Sequence, residues 1–133
     1  MDKKTILIVD DEPDILRLTS LRLKKLGFDI ITAIDGREAV RTVKSKKPDL
    51  ILLDLALPLL SGDEVGKKIK NDEDLRHIPI ILFSAGSDSI TAEKAKELGA
   101  NDYIVKPFGS DELTSKVEKM LQMGGFNEKH IGS

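Results

Sequence analysis

The sequence places acidic, hydroxyl and amine side chains directly after short apolar runs. They are Asp10 and Asp11, Asp54, Ser84 and Lys106. If the runs are parallel strands, their carboxyl ends meet at one edge of a sheet, where open α/β folds bind ligands. Clustered carboxylates repel one another unless a cation shares their site, and oxygen ligands of this kind suit Mg²⁺. A carboxylate nucleophile beside Mg²⁺, with a lysine and a hydroxyl for phosphoryl oxygens, indicates aspartyl-phosphate chemistry.

The elements that must position these side chains are predicted from hydrophobic periodicity. Short β-branched runs alternate five times with segments of helical period, which is typical of strands joined by crossover helices. Three runs are continuously apolar, as in parallel strands covered on both faces. The predicted fold class is therefore α/β, with one doubly wound parallel sheet of five strands. The predicted strands are residues 5–9, 29–33, 50–53, 80–83 and 103–105.

The first helix carries clear boundary signals. Pro13 suits a first helical position, and Gly27 is typical just after a helix end. Leu21 points away from the apolar arc and is interpreted as an isolated surface leucine. Asp35 with Glu38 resembles a capping pair for the second helix. The residues of the first helix expected on the apolar arc are Ile15, Leu16, Leu18, Leu23 and Leu26.

The length of 133 residues favours a single domain. Later helices are predicted to begin near residues 62, 88 and 110, and the helical pattern is lost from Gly124. We therefore expect one domain over residues 1–121 and a short polar C-terminal tail over residues 122–133.

Composition excludes several classes of function. The 21 basic and 23 acidic residues nearly cancel, so a strong nucleic-acid footprint is absent. The absence of cysteine excludes a disulfide scaffold, a cysteine-based zinc site and a thiol nucleophile. The apolar run at residues 6–9 is too short for a signal peptide or a membrane helix, so we expect a soluble, cytoplasmic protein without membrane contact.

Four motifs together resemble the receiver domain of bacterial two-component response regulators, of the chemotaxis-regulator type. They are ILIVDDEP at 6–13, PDLILLDLALP at 48–58, PIILFSAG at 79–86 and DYIVKPF at 102–108. Each motif is modest alone, but four in order, each at a strand end, form a specific set. The resemblance spans residues 1 to about 121 and implies a flavodoxin-like (βα)5 fold with strand order 2-1-3-4-5.

The resemblance implies a role for each residue at the strand ends. Asp54 would be the phosphoacceptor, attacking the phosphorus of a phosphohistidine on a partner. Asp11 and Asp54 would bind Mg²⁺, Asp10 would act beside them through a water, and the backbone carbonyl of Ala56 would supply a further oxygen. Lys106 would neutralise phosphoryl oxygens.

The resemblance also implies a conformational switch. Ser84 would donate a hydrogen bond to the phosphoryl group and draw its loop inward, with Tyr103 moving inward as a rotameric switch. The face of the fourth helix, fifth strand and fifth helix would then change for a downstream partner. Tyr103 is equally compatible with simple packing. The bond before Pro107 is often cis in relatives, which makes Pro107 a candidate cis-proline.

Two small residues, Ala56 and Gly86, stand where the family tunes access of water to the acyl phosphate. Their small side chains leave the site open, so the lifetime of the acyl phosphate is not fixed by the sequence.

The implied partners are a sensor histidine kinase or a histidine phosphotransfer protein and an unidentified downstream protein, without direct nucleic-acid binding. A phosphorylation-dependent homodimer is a further candidate. Mg-dependent autophosphorylation and autodephosphorylation are expected, without turnover of an external metabolite. Whether the receiver acts alone or belongs to a longer protein stays open.

Three other functions were weighed against the same residues. A docking-only pseudo-receiver is disfavoured because the acceptor, the acidic pair and the lysine are all present. An aspartyl phosphohydrolase needs a second carboxylate two residues after the nucleophile, where Ala56 stands. A flavin-binding domain would need a Ser/Thr/Gly-rich phosphate loop after the first strand, where the sequence is DDEP.

Overall fold

The computed structural model describes residues 3–57, 59–85, 88–106 and 108–125. The five described strands form one parallel sheet in the order β2-β1-β3-β4-β5, which confirms the predicted fold class and strand order. The central strand β3 runs between β1 and β4, with Leu52 opposite Ile8 on one side and Ile81 on the other. The strands are β1 (Thr5–Val9), β2 (Asp29–Ala33), β3 (Leu50–Asp54), β4 (Ile80–Ser84) and β5 (Asp102–Val105).

The strand boundaries lie within one residue of those predicted. Asp54 and Ser84 are the last residues of β3 and β4 rather than the residues after them, and β5 begins one residue earlier, at Asp102. The difference arises because parallel pairing continues through these polar residues: Asp54 is paired with Phe83, and Ser84 with Val105.

Helices cover both faces of the sheet and bury two apolar layers. Alternate residues of β1 point to opposite faces, so Leu7 and Val9 pack with α2, α3 and α4, whereas Ile6 and Ile8 pack with α1 and α5. This arrangement is why the central strands are apolar throughout. The helices are α1 (Pro13–Lys25), α2 (Gly36–Lys46), α3 (Gly62–Lys70), α4 (Asp88–Leu98) and α5 (Ser110–Gly125).

The prediction for the buried face of α1 was wrong in part. Leu18 is 55% exposed and Leu26 45% exposed, while Thr19 and Leu23 are buried. Leu18 lies about 100° around the helix from Thr19, away from the sheet, and Leu26 follows the last helical residue. Leu21 is exposed as predicted, but it is not isolated, since Leu18 is exposed one turn before it.

The predicted signals at other helix ends have mixed outcomes. The Asp35 side chain accepts a hydrogen bond from the Glu38 backbone N–H at 2.8 Å, as expected for a cap. Helix α5 continues to Gly125, four residues beyond the expected end of the domain, while the rest of the expected tail, 126–133, lies outside the described residues. No helix among the described residues has both the length and the hydropathy needed to cross a bilayer.

Candidate functional site

A pocket of about 260 Å³ opens at the carboxyl edge of the sheet. It brings together most of the residues predicted to form the site. Asp10 lies beneath it, fully buried, and contacts the same lysine that lines the pocket. The lining residues are Asp11, Glu12, Asp54, Leu55, Ala56, Ser84, Ala85 and Lys106.

Backbone hydrogen bonds beyond the strand ends hold these residues in place. The N–H of Asp10 donates to the carbonyl of Ala33 at 3.1 Å, and the N–H of Lys106 donates to the carbonyl of Ser84 at 2.7 Å. Each bond continues the parallel ladder by one residue. The backbone that carries these polar side chains is therefore held by the hydrogen bonds of the sheet.

Lys106 joins three carboxylates that come from two separate parts of the chain. Its Nζ donates hydrogen bonds to Glu12 Oε1 at 2.9 Å and to Asp54 Oδ2 at 3.3 Å, and lies 2.9 Å from Asp10 Oδ2. Burial lowers the pKa of the Lys106 ammonium, but these three carboxylates outweigh burial and raise the pKa overall. Lys106 therefore carries a fixed positive charge over the pocket.

The Asp54 carboxyl is buried, and its ionisation is disfavoured. Burial is the main cause that raises its pKa to about 6, and the charge of Asp10 adds to the effect. The Ala56 N–H, which donates to Asp54 Oδ1 at 3.2 Å, and Lys106 partly offset this rise in pKa. An additional positive charge in the pocket would favour the ionised, nucleophilic form of Asp54.

The donor set fits a small divalent cation. One carboxylate oxygen each from Asp10, Glu12 and Asp54 lie within 4.8 Å of one another. Asp10 Oδ1 accepts a hydrogen bond from the Glu12 N–H at 2.9 Å, whereas the buried Asp10 Oδ2 is ion-paired with the Lys106 ammonium at 2.9 Å. A buried anionic oxygen that shares one ammonium with two further carboxylates is suited to an additional hard cation that prefers oxygen ligands.

Two acidic residues occupy positions that differ from the expectation. Asp11, the expected direct ligand, is exposed and lines the pocket, but it is not one of the three clustered carboxylates. Glu12 was missing from the predicted site and contacts Lys106 directly. The available signal was its place in DDEP, where it precedes Pro13 as the N-cap residue of α1 and so stays at the strand edge.

The residues predicted to switch, to tune the phosphate lifetime and to form a cis-proline fall in three groups. Ser84 is half-buried and lines the pocket. Tyr103 is half-buried, does not line the pocket, and packs against the layer under α2, α3 and α4. Lys116 Nζ lies 5.1 Å from the Tyr103 ring centroid and donates to the Tyr103 carbonyl at 2.7 Å. Gly86 and Pro107 lie outside the described residues.

Comparison with known proteins agrees with this geometry. A family model described as the response regulator receiver domain matches residues 6–118. The chain is 41% identical over 122 residues to the alkaline phosphatase synthesis transcriptional regulatory protein PhoP of Bacillus subtilis. This alignment covers 92% of this chain and 50% of that protein. The chain thus spans about half the length of the curated relatives it matches.

Solved receiver structures have the same fold. The chain is similar to the signal receiver domain of a signal transduction histidine kinase from Syntrophus aciditrophicus, with 34% identity, 92% of each chain covered and a TM-score of 0.85. It is also similar to the receiver domain of a sensor histidine kinase from Pseudomonas aeruginosa, with 32% identity, 90% and 98% of the two chains covered and a TM-score of 0.83. That structure has a magnesium ion coordinated in its active-site cleft.

Proposed function

The chain belongs to the response regulator receiver family, and from that premise we propose that Asp54 accepts a phosphoryl group from a phosphohistidine of a partner protein. Receivers of this family are signalling proteins rather than metabolic enzymes. The observation that carries the proposal is the placement of the buried Asp54 carboxylate at the end of the central strand, 3.3 Å from the Lys106 ammonium, in a pocket open to a donor.

The transfer forms one bond and breaks one bond. A carboxylate oxygen of Asp54 attacks the phosphorus, the bond between phosphorus and the histidine nitrogen breaks, and its electron pair stays with the imidazole. Negative charge accumulates on the phosphoryl oxygens. Lys106 neutralises part of that charge, and the Ser84 hydroxyl donates a hydrogen bond to one phosphoryl oxygen.

Mg²⁺ is the proposed cofactor, and its charge would neutralise phosphoryl oxygens and favour ionised Asp54. Asp11, Asp54 and the backbone carbonyl of Ala56 are the proposed direct ligands, and Asp10 is proposed to hold the ion beside them through a water. The buried Asp10 and Asp54 carboxylates, which share the single ammonium of Lys106, support this assignment most directly.

Phosphorylation is proposed to act on the face formed by α4, β5 and α5. Ser84 and Lys106 are the last residue of β4 and the residue after β5, and one backbone hydrogen bond joins them. A movement of Ser84 toward a phosphoryl group is therefore passed to β5, which carries Tyr103. The small side chain of Ala56 is exposed and leaves the acyl phosphate open to water, and Gly86 is proposed to do the same.

The proposed partners follow from this chemistry. A sensor histidine kinase or a histidine phosphotransfer protein would supply the phosphoryl group in the cytoplasm, and a downstream protein or a second copy of the chain would read the switched face. The relative PhoP is by name a transcriptional regulator. We therefore propose only that the receiver itself, residues 1–121, does not contact nucleic acid.

The test is intact-mass analysis after incubation with acetyl phosphate, with and without Mg²⁺. The wild type is expected to gain one phosphoryl group in the presence of Mg²⁺, and Asp54→Asn to gain none. Asp14→Asn is the matched control, because it makes the same chemical change at an exposed carboxylate on α1. Normal phosphorylation of Asp54→Asn would show that another residue is the acceptor.

A further inference from the structure

Glu12 makes a contact that the proposed reaction has not used. Its Oε1 lies 2.9 Å from Lys106 Nζ, as close as the buried Asp10 carboxylate. The two carboxylates differ in environment, since the Glu12 side chain is 59% exposed and that of Asp10 is buried. Lys106 therefore lies between buried carboxylates below and one partly exposed carboxylate at the rim of the pocket.

The oxygens that Lys106 contacts are the ones a cation would need. Asp10 Oδ1 and Asp54 Oδ1 each accept a backbone N–H, from Glu12 and Ala56. Their Oδ2 atoms both contact Lys106 Nζ instead. An ammonium group at these two oxygens would strongly repel a divalent cation held by the same oxygens, directly or through a water, in a buried site. Lys106 must therefore move off these oxygens when the cation binds.

We propose that Glu12 is a positioning residue that keeps the Lys106 ammonium at the rim of the pocket when a divalent cation binds Asp10 and Asp54. The Lys106 side chain is only 11% exposed, and Glu12 is the partly exposed carboxylate that its ammonium already contacts at the rim. With Glu12 the lysine and the cation occupy the pocket together. This role rests on the proposed function, because only a phosphoryl group on Asp54 requires both charges at once.

A double-mutant cycle on Mg²⁺ affinity separates this role from direct ligation. Mg²⁺ binding is measured by titration calorimetry for the wild type, Glu12→Gln, Lys106→Met and the double variant. Glu12→Gln is expected to weaken Mg²⁺ binding about fivefold when Lys106 is present, because the lysine then competes for the buried oxygens. In the Lys106→Met background the same change is expected to cost less than about twofold.

Three results would overturn the proposal. If Glu12→Gln lowers Mg²⁺ affinity equally in both backgrounds, Glu12 is a direct ligand. If Glu12→Gln does not lower the affinity when Lys106 is present, Glu12 has no role in Mg²⁺ binding. The control Asp14→Asn removes a carboxylate two residues away that pairs with Arg17 instead. If Asp14→Asn weakened Mg²⁺ binding as much as Glu12→Gln, the effect would come from the general negative charge of the surface and not from the contact with Lys106.

A second measurement does not depend on the folding of Lys106→Met. In ¹⁵N-lysine NMR, the Lys106 ammonium protons of the wild type are expected to stay protected from exchange after Mg²⁺ is added, and those of Glu12→Gln to lose protection. Equal behaviour of the two proteins would contradict the proposal. Phosphorylation of the wild type is measured separately. If the wild type is not phosphorylated but the double-mutant cycle still shows coupling between Glu12 and Lys106, only the proposed function is rejected.

Discussion

Asp54 is buried beside a second carboxylate, and both features oppose its ionisation. They raise its pKa from 3.8 to about 6. Between these values the folded protein binds this proton more tightly than the unfolded chain, so the contribution of Asp54 to stability falls as pH rises from about 4 to about 6. Without Mg²⁺, Asp54→Asn is therefore expected to be more stable than the wild type near neutral pH, by about 3 kcal/mol at most.

Urea unfolding near pH 4 and near pH 7 checks this expectation. The difference between Asp54→Asn and the wild type should be small at the lower pH and large at the higher pH. Asp14→Asn, at an exposed carboxylate, serves as the reference for changes unrelated to burial. The same difference at both pH values would show that the buried carboxyl is not the titrating group.

The placement of residues in the pocket was predictable from sequence where it depends on position at a strand end, as for Asp54 and Ser84. The contact of Glu12 was not, because its partner Lys106 is 94 residues away and nothing in the local pattern joins them. Asp10 is buried and Asp11 is exposed, and this difference depends on the direction in which each side chain leaves the end of β1. Two adjacent acidic residues in a sequence do not show which of them is buried.

The start of α3 is packed against the strand that carries Asp54. Ser61 and Glu64 form a capping box, and Gly62 follows at the first helical position. A Cβ atom added at Gly62 would overlap the backbone carbonyl of Asp54, which cannot give way as a flexible side chain can. Gly62→Ala is therefore expected to lower the free energy of unfolding by about 1 to 3 kcal/mol, measured by urea unfolding.

Gly109→Ala is the matched control, because a Cβ atom there would meet nothing within 4 Å. Its free energy of unfolding should stay close to that of the wild type. If both alanine variants lost the same stability, the close approach between α3 and β3 would not be the cause. A loss confined to Gly62→Ala would show that this glycine sets the distance between α3 and β3.

The elements were more predictable than the faces they present. Apolar runs located the strands to within one residue, since a buried parallel strand needs apolar side chains on both faces. In α1, by contrast, leucines occur all around the helix, and hydrophobicity alone placed Leu18 on the buried face, whereas the structure exposes Leu18 and buries Thr19. The choice between faces is made by contact with the sheet, through Leu23 and partly buried Leu16.

The pocket exists only in the complete fold. The charged groups in and beneath it come from positions 10, 11, 12, 54 and 106, and the strand order brings Lys106 within hydrogen-bond distance of the carboxylates at positions 10, 12 and 54. The unfolded chain keeps these groups far apart and has no comparable site. A ligand of the pocket therefore binds the folded state alone and must stabilise the whole molecule.

Mg²⁺ is accordingly expected to raise the free energy of unfolding, by about 2.7 kcal/mol at a concentration about a hundredfold above its Kd. Thermal unfolding with MgCl₂ and with NaCl at equal ionic strength separates binding from screening. Asp10→Asn should lose most of the shift, because it removes a buried negative charge from the carboxylate cluster that would hold the ion. An equal rise with NaCl, or an undiminished rise in Asp10→Asn, would mean that Mg²⁺ acts elsewhere on the molecule. A rise specific to Mg²⁺ and lost with Asp10 would tie stability of the whole fold to the acidic pocket.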